Sequence, residues 1–258
     1  MSASSIRLSQ LKKWIHIFSN ADRLEAPDRD FIGHRDILIR SRARYEFVAP
    51  FVYGTLLEVG SGRGYGLEVL APRSTVQIGV DLSRAFLKKA QCNLPAISFV
   101  QANGSTLPFT GHSFDSIIAF EVIEHVEDDV AFLNELKRLA RDQGFIAIST
   151  PNKFVASGNR KKPIDPFHVR EYTSPEFYTL LSHAFSSVKI FGQSERSAES
   201  ISVNTLMDRI PKRWKYLVPL YIQGLISVIV RPQLRIDDCQ FQTGDLDLAH
   251  TFIALCQP

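Results

Sequence analysis

Short apolar runs alternate with amphipathic segments along most of this chain. Seven apolar runs predict β-strands, at residues 55–59, 75–80, 97–100, 114–120, 144–150, 188–191 and 251–256. Helical spacing of apolar residues predicts helices in most of the gaps between them, at residues 64–71, 83–93, 127–141 and 174–185. Strands that alternate with helices indicate a parallel, doubly wound α/β sheet. The run at 114–120 is almost continuously apolar, as expected for a strand that is buried on both faces.

The chain divides into four predicted parts. Two N-terminal helices, at 5–20 and 37–52, precede the core, and a second segment outside the core precedes the last strand. The predicted boundaries are 1–52 for the helices, 53–192 for the core, 193–245 for a helical insertion and 246–258 for the final strand. Such an insertion is expected to form a lid over a pocket or a dimer surface, so the partners we expect include a second copy of the chain.

An apolar run at residues 216–230 lies within the insertion. It is shorter than the ~20 residues of a membrane-spanning helix, so we expect no transmembrane span. Trp214 and several basic residues border it, and segment 212–231 therefore allows peripheral contact with a membrane surface. A buried lid helix is the favoured interpretation, because the run shows no regular polar face.

Composition and charge are ordinary for a globular protein. The chain has 258 residues, 45% of them hydrophobic and 22% charged, with a net charge of +3. This mild charge does not call for nucleic acid as a partner. Cys92, Cys239 and Cys256 are scattered without metal-ligand spacing, which indicates reduced thiols. The N-terminus shows no signal-peptide pattern, so we expect a cytoplasmic location, and we see no metal-binding constellation in the sequence.

The most informative short stretch is a loop with glycines at alternate positions from Gly60 to Gly66. A dinucleotide-binding loop has the spacing G-x-G-x-x-G, but its sixth position here is Tyr65, which argues against an NAD-dependent dehydrogenase. Glu58 precedes the loop, and a carboxylate there would repel a pyrophosphate and suit a cationic ligand. S-adenosylmethionine carries an ammonium and a sulfonium and no phosphate, so the loop predicts this ligand.

Two further signals follow the second and fourth predicted strands. Asp81 stands 21 residues beyond Gly60, a spacing that favours a bond to a ribose diol. The alternative is a helix cap, a role that Ser83 also fills. After the fourth strand comes the sequence E-x-x-E-H-V at residues 121–126, and after the fifth comes T-P-N-K at 150–153.

These segments together resemble the class I S-adenosylmethionine-dependent methyltransferases, and in particular the ubiquinone-biosynthesis-type (methyltransferase type 11) group. The resemblance is strong from the glycine loop to Lys153 and looser on both sides. It implies a Rossmann-like, doubly wound sheet of seven mostly parallel strands with a reversed last strand. It also implies S-adenosylmethionine as cofactor, with S-adenosylhomocysteine as product. The cofactor-binding residues that it implies are Arg44, Tyr45, Glu58, Gly60, Ser61, Gly62, Gly64, Asp81, Leu82, Asn103, Gly104, Ser105, Phe120 and Glu121.

The resemblance gives two of these residues a specific role. An Arg-Tyr pair ahead of the glycine loop is common in the group, and Arg44 would hold the carboxylate of the cofactor. A solvent-exposed helix face is the alternative for this arginine. Asn103 occupies the place where the family often has an acidic residue that binds the adenine amino group, and an amide oxygen can accept the same hydrogen bond.

The resemblance also points to His125, His168 and Glu124 as catalytic residues. An oxygen acceptor usually needs a base, and histidine is suited to that task near neutral pH. His125 follows the fourth strand, and His168 lies in a polar loop at 154–172 that resembles loops of members acting on sugars. Glu124 would orient His125 or bind a polar substrate. A structural hydrogen bond is the alternative for each histidine.

The function predicted from these residues is methyl transfer to a hydroxyl of a sugar, a glycolipid precursor or a similar small molecule. The alternative within the family is a C- or N-methyltransferase acting on a quinone-like or other small acceptor. A transfer-RNA modifier is disfavoured, because the basic residues form no strong patch. A regulatory protein that binds the cofactor without turnover is the alternative of another class, and the intact motifs argue against it.

Overall fold

The computed structural model describes residues 34–195, 234–244 and 246–258. The predicted helix at 5–20 and the apolar run at 216–230 lie outside these residues. Within the described residues, we find no helix long and apolar enough to cross a lipid bilayer.

A single mixed sheet organises the described residues. Its strands are β1 (Thr55–Val59), β2 (Val76–Asp81), β3 (Ser98–Gln101), β4 (Phe114–Phe120), β5 (Ala140–Pro151), β6 (Ser187–Glu195), β7 (Cys239–Gln242) and β8 (Thr251–Gln257). Their order in the sheet is β3-β2-β1-β4-β5-β8-β6-β7. The strands β1 to β5 are parallel, whereas β8 runs antiparallel between β5 and β6. The predicted doubly wound α/β sheet with a reversed last strand is therefore confirmed.

The sheet has an eighth strand that the sequence analysis did not predict. Strand β7 lies in segment 193–245, which was predicted to be a helical insertion, and it pairs antiparallel with β6. Phe241 of β7 stacks on Phe47 with ring centroids 4.2 Å apart, and Phe47 also contacts Phe191 of β6. The aromatic packing explains why these four residues add to the edge of the sheet. The helical prediction is wrong for Cys239–Gln242.

In the described part of the chain, the sheet is accompanied by six α-helices: α1 (His34–Val48), α2 (Tyr65–Leu70), α3 (Arg84–Asn93), α4 (Asp129–Leu139), α5 (Lys153–Ala156) and α6 (Ser174–Ala184). Their starts follow local side-chain chemistry. Ser83 caps α3, Asp128 caps α4, and Thr173 with Glu176 forms a capping box at α6. The helix predicted to reach residue 141 ends at Leu139, because β5 begins at Ala140.

The core lies on both faces of the central strands. Every residue of β4 except Asp115 is buried, and β1 is buried from Leu56 to Val59. Because β1, β2, β4 and β5 are parallel, their carboxyl ends meet at one edge of the sheet. The glycine loop, Asp81, the sequence at 121–126 and the residues after β5 are all gathered at that edge.

Candidate active site

The glycine loop turns tightly from β1 into α2. The N–H groups of Gly60 and Ser61 both donate to the carbonyl of Val80, at 2.8 and 2.9 Å. Gly62 has φ +52°, a conformation that favours glycine, and a Cβ added there would meet no atom within 4 Å. The loop therefore presents bare backbone to open space. Gly66, in contrast, has no free space beside it, because a Cβ added there would lie 2.2 Å from the Glu58 carboxyl group.

Asp81 joins this loop to the start of α3. Its Oδ2 accepts from the N–H of Gly62 at 2.9 Å, and its Oδ1 accepts from the N–H of Ser83 at 2.7 Å. Ser83 caps α3 with its own hydroxyl, which accepts from the N–H of Phe86. The cap role thus belongs to Ser83, and Asp81 braces the loop. The predicted bond from Asp81 to a ribose stays a prediction.

Glu58 and Tyr45 form a buried pair behind the loop. The Tyr45 hydroxyl donates to Glu58 Oε1 at 2.5 Å, and Glu58 Oε2 is buried without a hydrogen-bond partner among the described residues. Burial raises the pKa of Glu58 to about 8, partly offset by the bond from Tyr45. At neutral pH the free protein therefore holds Glu58 mainly as a neutral acid. A cationic group bound beside Oε2 would favour the charged carboxylate that was expected from the sequence.

Arg44 reaches the same region from α1. Its Nη1 donates to Gln193 Oε1 at 3.1 Å and its Nη2 donates to Ser41 Oγ at 2.9 Å. The Nε atom is buried and has no hydrogen-bond partner in the described part of the chain. Arg44 is only 6% exposed, so the solvated helix face considered from the sequence is wrong for this residue.

The other predicted cofactor residues occupy the same edge. Asn103 Oδ1 accepts from the N–H of Ser105 at 3.0 Å, which folds the loop after β3. A Cβ on Gly104 would lie 3.0 Å from the Phe132 ring, so the chain passes close to α4 there. Phe120 packs against Tyr45 with ring centroids 5.0 Å apart, whereas Leu82 is exposed at the end of β2.

These residues fit S-adenosylmethionine chemically. The buried unpaired Nε of Arg44 can donate to a carboxylate, and the unpaired Oε2 of Glu58 can accept from an ammonium. A methionine-type ligand carries the carboxylate and the ammonium that these two atoms lack.

Glu121 starts the E-x-x-E-H-V segment in a strained conformation. Its φ is +55°, which is uncommon for a residue with a side chain. The strain is held by Ser149 of β5, whose carbonyl and hydroxyl both accept from the Glu121 N–H at 3.1 Å. The same hydroxyl donates to Glu121 Oε1 at 2.7 Å. Ser149 thereby sets the direction in which the chain leaves β4.

Glu124 is fully buried three residues later. Its Oε2 accepts from the Thr150 hydroxyl at 3.2 Å, and its Oε1 has no hydrogen-bond partner among the residues described. Burial, together with the nearby charge of Glu121, raises the pKa of the Glu124 carboxyl. Its backbone carbonyl accepts from the N–H of Val169 at 2.8 Å and so ties the loop that carries His168 to this site.

The structure brings His125 and His168 together, with ring centroids 5.0 Å apart. His125 Nδ1 bonds to the carbonyl of Phe167 at 3.0 Å, so Phe167 rather than Glu124 orients this ring. His168 Nδ1 bonds to Glu171 Oε1 at 2.9 Å. Burial lowers the pKa of His125, which favours the neutral imidazole.

Glu124, His125 and His168 form a group that the sequence analysis did not recognise as a possible metal site. One oxygen or nitrogen atom of each lies within 4.8 Å of the others. His168 is 43 residues from His125, so no local spacing predicts the group. Glu171 and Gln193 were also missed, because their roles depend on contacts made by the fold. The pattern at 165–172 was the only available signal for Glu171.

Comparison with known proteins agrees with this geometry. The family described as "Methyltransferase domain" matches residues 57–148. A probable S-adenosylmethionine-dependent methyltransferase of Mycobacterium tuberculosis is 35% identical over 146 residues, which are 56% of this chain and 53% of that protein. The ubiquinone biosynthesis O-methyltransferase of Bartonella tribocorum is 30% identical over 138 residues, or 49% of this chain and 56% of that protein.

Solved structures show the same fold. A SAM-dependent methyltransferase of Thermotoga maritima superposes with a TM-score of 0.61 at 15% identity, covering 95% of this chain and 98% of that chain. The chain spans about half the length of the curated relatives that it matches. The matched segment begins in β1 and ends in β5, so it contains the glycine loop, Asp81 and the E-x-x-E-H-V sequence. Residues 57–148 match the methyltransferase domain family, and the chain is similar in sequence and fold to S-adenosylmethionine-dependent methyltransferases, whose cofactor is S-adenosylmethionine.

Proposed function

We propose that this protein transfers a methyl group to a hydroxyl of a polar small molecule, such as a sugar or a glycolipid precursor. The observation that carries the proposal is the cluster of Glu124, His125 and His168 at the edge of the sheet where the cofactor loop opens. An amine acceptor that is already neutral needs little more than alignment, whereas a hydroxyl needs help to lose its proton. The two adjacent imidazoles offer that help.

Each part of the chain has a task in this reaction. When bound, S-adenosylmethionine supplies an electrophilic methyl group on its sulfonium. Arg44 and Glu58 hold the ends of a methionine-type ligand, and Asp81 keeps the glycine loop in shape. The loop from Ser157 to Tyr172 carries His168 and places it against His125. The acceptor hydroxyl is then activated at these two rings.

Glu171 fixes the direction of the His168 ring. A carboxylate can only accept, so its bond to Nδ1 places the ring proton there and leaves Nε2 with a lone pair. The carbonyl of Phe167 has the same effect on His125. Both rings are thus prepared to act through Nε2 on the acceptor.

The proposal extends to location and partners. We place the protein in the cytoplasm, since Cys92, Cys239 and Cys256 are all free thiols, and we take a small molecule rather than nucleic acid as its acceptor. The insertion within 193–245 remains our candidate for a lid, a homodimer surface or a peripheral membrane contact.

Replacement of the histidines tests the proposal. His125→Ala and His168→Ala should each lower kcat by about 10²-fold or more, since a lost acid–base group has an effect of this size. The affinity for S-adenosylmethionine should change less than about twofold, because the assigned ligand contacts are intact. Turnover is measured as isotopic methyl transfer to a panel of hydroxylated acceptors, and the dissociation constant by calorimetry. His183→Ala is the matched control, because His183 is exposed and bonds to the carbonyl of Thr179.

A loss of cofactor affinity without a loss of turnover at saturation would reassign these histidines to the binding site. Methylation of carbon or nitrogen, but not of oxygen, across the acceptor panel would favour the C- or N-methyltransferase alternative. Cofactor binding without transfer to any acceptor would favour the regulatory alternative.

A further inference from the structure

Tyr65 is a residue beside the glycine loop that the proposed function does not use. It directly follows Gly64 and is the first residue of α2. Its hydroxyl oxygen is buried and has no hydrogen-bond partner among the described residues. A buried hydroxyl without a partner is costly, so native structures rarely leave one unexplained. The Tyr65 hydroxyl therefore lacks a hydrogen-bonding group that a ligand could supply.

The aromatic rings around Tyr65 hold its side chain in this buried position. Its ring packs edge-on against Tyr45 with centroids 5.2 Å apart, and Tyr45 packs against Phe120 at 5.0 Å. The Tyr45 hydroxyl already donates to Glu58, so it is not the missing partner. Because Phe120 is the last residue of β4, these contacts place the Tyr65 ring at the same edge of the sheet as the glycine loop.

The Tyr65 hydroxyl keeps its proton at neutral pH and lies within electrostatic reach of Arg44. Burial raises the pKa of Tyr65 to about 12, although the Arg44 guanidinium and Ser41 partly offset this rise. Neither side chain completes a hydrogen bond of normal geometry with the phenol, whose oxygen is unpaired. The protonated hydroxyl is thus available as a donor near a guanidinium.

The contacts of Arg44 leave one nitrogen of its guanidinium unpaired. Nη1 donates to Gln193 Oε1 at 3.1 Å and Nη2 donates to Ser41 Oγ at 2.9 Å, whereas the buried Nε has no hydrogen-bond partner in the described part of the chain. Gln193 is only 1% exposed, and its own Nε2 donates to the carbonyl of Arg40 at 2.9 Å. Both ends of the Gln193 amide are therefore bonded, and this amide holds the guanidinium so that Nε is left for a ligand.

We propose that the Tyr65 hydroxyl donates a hydrogen bond to the carboxylate of S-adenosylmethionine beside Nε of Arg44, and that Gln193 is the positioning residue for that guanidinium. A carboxylate has two oxygens that only accept, so it satisfies both unpaired donors at once. This inference rests on the proposed function, which assigns Arg44 to the ligand carboxylate, and it adds a second donor. The consequence is selectivity for ligands that carry the carboxylate.

Calorimetric titration of the full-length protein with two ligands tests the contact from Tyr65. The ligands are S-adenosylmethionine and decarboxylated S-adenosylmethionine, which keeps the ammonium and the sulfonium but lacks the carboxylate. Tyr65→Phe removes one oxygen atom and should weaken binding of S-adenosylmethionine by about 10- to 100-fold, as expected for the loss of one hydrogen bond to a charged group. Binding of the decarboxylated ligand should change less than about twofold, because it has no carboxylate to lose this bond. Tyr178→Phe is the matched control, because Tyr178 is exposed on α6, and it should change neither dissociation constant.

A second variant tests the positioning role of Gln193. Gln193→Met removes the oxygen that accepts from Arg44 Nη1 and keeps a side chain of similar length, and it should weaken binding of S-adenosylmethionine by about tenfold. The dissociation constant of the decarboxylated ligand should stay the same. A merely structural role of Gln193 would instead weaken the binding of both ligands by the same factor. Gln143→Met is the control, because Gln143 is exposed near the start of β5.

Equal weakening for both ligands in Tyr65→Phe, or no weakening for either, would overturn the contact. A decarboxylated ligand that binds too weakly for direct titration is measured by its competition with S-adenosylmethionine. These binding measurements need no acceptor, so they are separate from the test of the proposed function. Methyl transfer to a hydroxyl with unchanged carboxylate selectivity in the variants would leave the proposed function intact and overturn this inference. The expected loss of selectivity, in a protein that transfers no methyl group to oxygen, would support the contact and overturn the proposed function.

Discussion

Asp81 acts on the backbone as well as on any ligand at the end of β2. Its two oxygens accept from the N–H groups of Gly62 and Ser83, so one side chain joins the glycine loop to the start of α3. Each oxygen of a carboxylate has more than one acceptor direction, which leaves capacity for a ribose hydroxyl pair. The bracing role and the ligand role are therefore compatible.

Replacement of Asp81 by alanine should weaken binding of S-adenosylmethionine by about 10- to 100-fold, which corresponds to the loss of one or two hydrogen bonds to a charged group. Calorimetric titration measures the effect. Asp142→Ala is the control, because Asp142 is exposed and its Oδ1 lies 3.1 Å from Nδ1 of the exposed His112. Unchanged affinity in Asp81→Ala would remove the ribose assignment.

The buried pair of Glu58 and Tyr45 predicts a specific pH dependence of stability. The pKa of Glu58 is raised to about 8 in the folded protein, whereas the unfolded chain has an ordinary carboxyl. Between these two pKa values the folded state holds a proton that the unfolded state has lost, so stability falls as pH rises. The fall attributable to Glu58 is up to about 1.4 kcal/mol per pH unit across that window.

Glu58→Gln should remove this part of the pH dependence, because glutamine resembles the protonated acid and does not titrate. The difference in unfolding free energy between variant and unmodified protein should grow in favour of the variant from pH 5 to pH 8. Urea denaturation at several pH values measures it. A difference that stays constant with pH would mean that Glu58 is ionised in the folded protein.

Individual residues differed in how far the sequence could predict them. Asp81 and Glu58 are fixed by their distance from the glycine loop along one strand–loop–helix unit, so spacing alone locates them. Gln193, which holds Arg44, lies 149 residues away from it, and no local pattern encodes such a contact. The raised pKa of Glu58 was also not predicted, because it depends on burial that only the folded chain provides.

At the scale of elements, the segment after β5 is the least regular part of the site and the most heavily anchored. Ser157 Oγ accepts from the N–H of Ile164 at 2.8 Å, and the Glu124 carbonyl holds Val169. Arg170 bonds to Asp129 and to the carbonyl of Glu127 at the start of α4. These anchors fix His168 in a loop that lacks secondary structure over most of its length.

Arg170→Met should loosen this loop without touching the cofactor site. We expect a loss of about 1–2 kcal/mol in unfolding free energy, since charge-assisted hydrogen bonds at a partly buried position are lost. The KM for the acceptor should rise while the dissociation constant of S-adenosylmethionine stays the same. Steady-state kinetics measure the KM for the acceptor, and calorimetric titration measures the dissociation constant of S-adenosylmethionine.

Lys161→Met serves as the matched control, because Lys161 is exposed in the same loop. Lys161→Met should change neither the unfolding free energy nor the KM for the acceptor. A fall in cofactor affinity for Arg170→Met, equal to the change in KM, would show that the loop supports the cofactor pocket instead of the acceptor.

The boundaries of helices could be predicted where a side chain caps the helix. The position of a strand could not be predicted where only its packing against distant residues determines it. Ser83, Asp128 and Thr173 mark helix starts by their own hydrogen bonds, so these starts are visible in the sequence. Strand β7 has only four residues, and its pairing depends on the edge of β6 and on the ring of Phe47. Neither influence appears in its local sequence.

At the scale of the whole molecule, the topology brings the site together. The parallel strands β1, β2, β4 and β5 bring the glycine loop, Asp81, Glu121 and Glu124 to one edge of the sheet. The antiparallel β8 starts at this same edge, where Asn152 after β5 donates to the carbonyl groups of Asp247 and Ala249 just before β8. Alternating strands and helices predicted this topology, since parallel strands need crossover helices.

The central claim is that the glycine loop holds S-adenosylmethionine and not a dinucleotide. Calorimetric titration of the purified full-length protein with S-adenosylmethionine, and separately with NAD, tests it most directly. We expect saturable binding of S-adenosylmethionine with one site per chain and no binding of NAD. Binding of NAD, or a folded sample that shows no binding of S-adenosylmethionine by any heat or competition measurement, would contradict it.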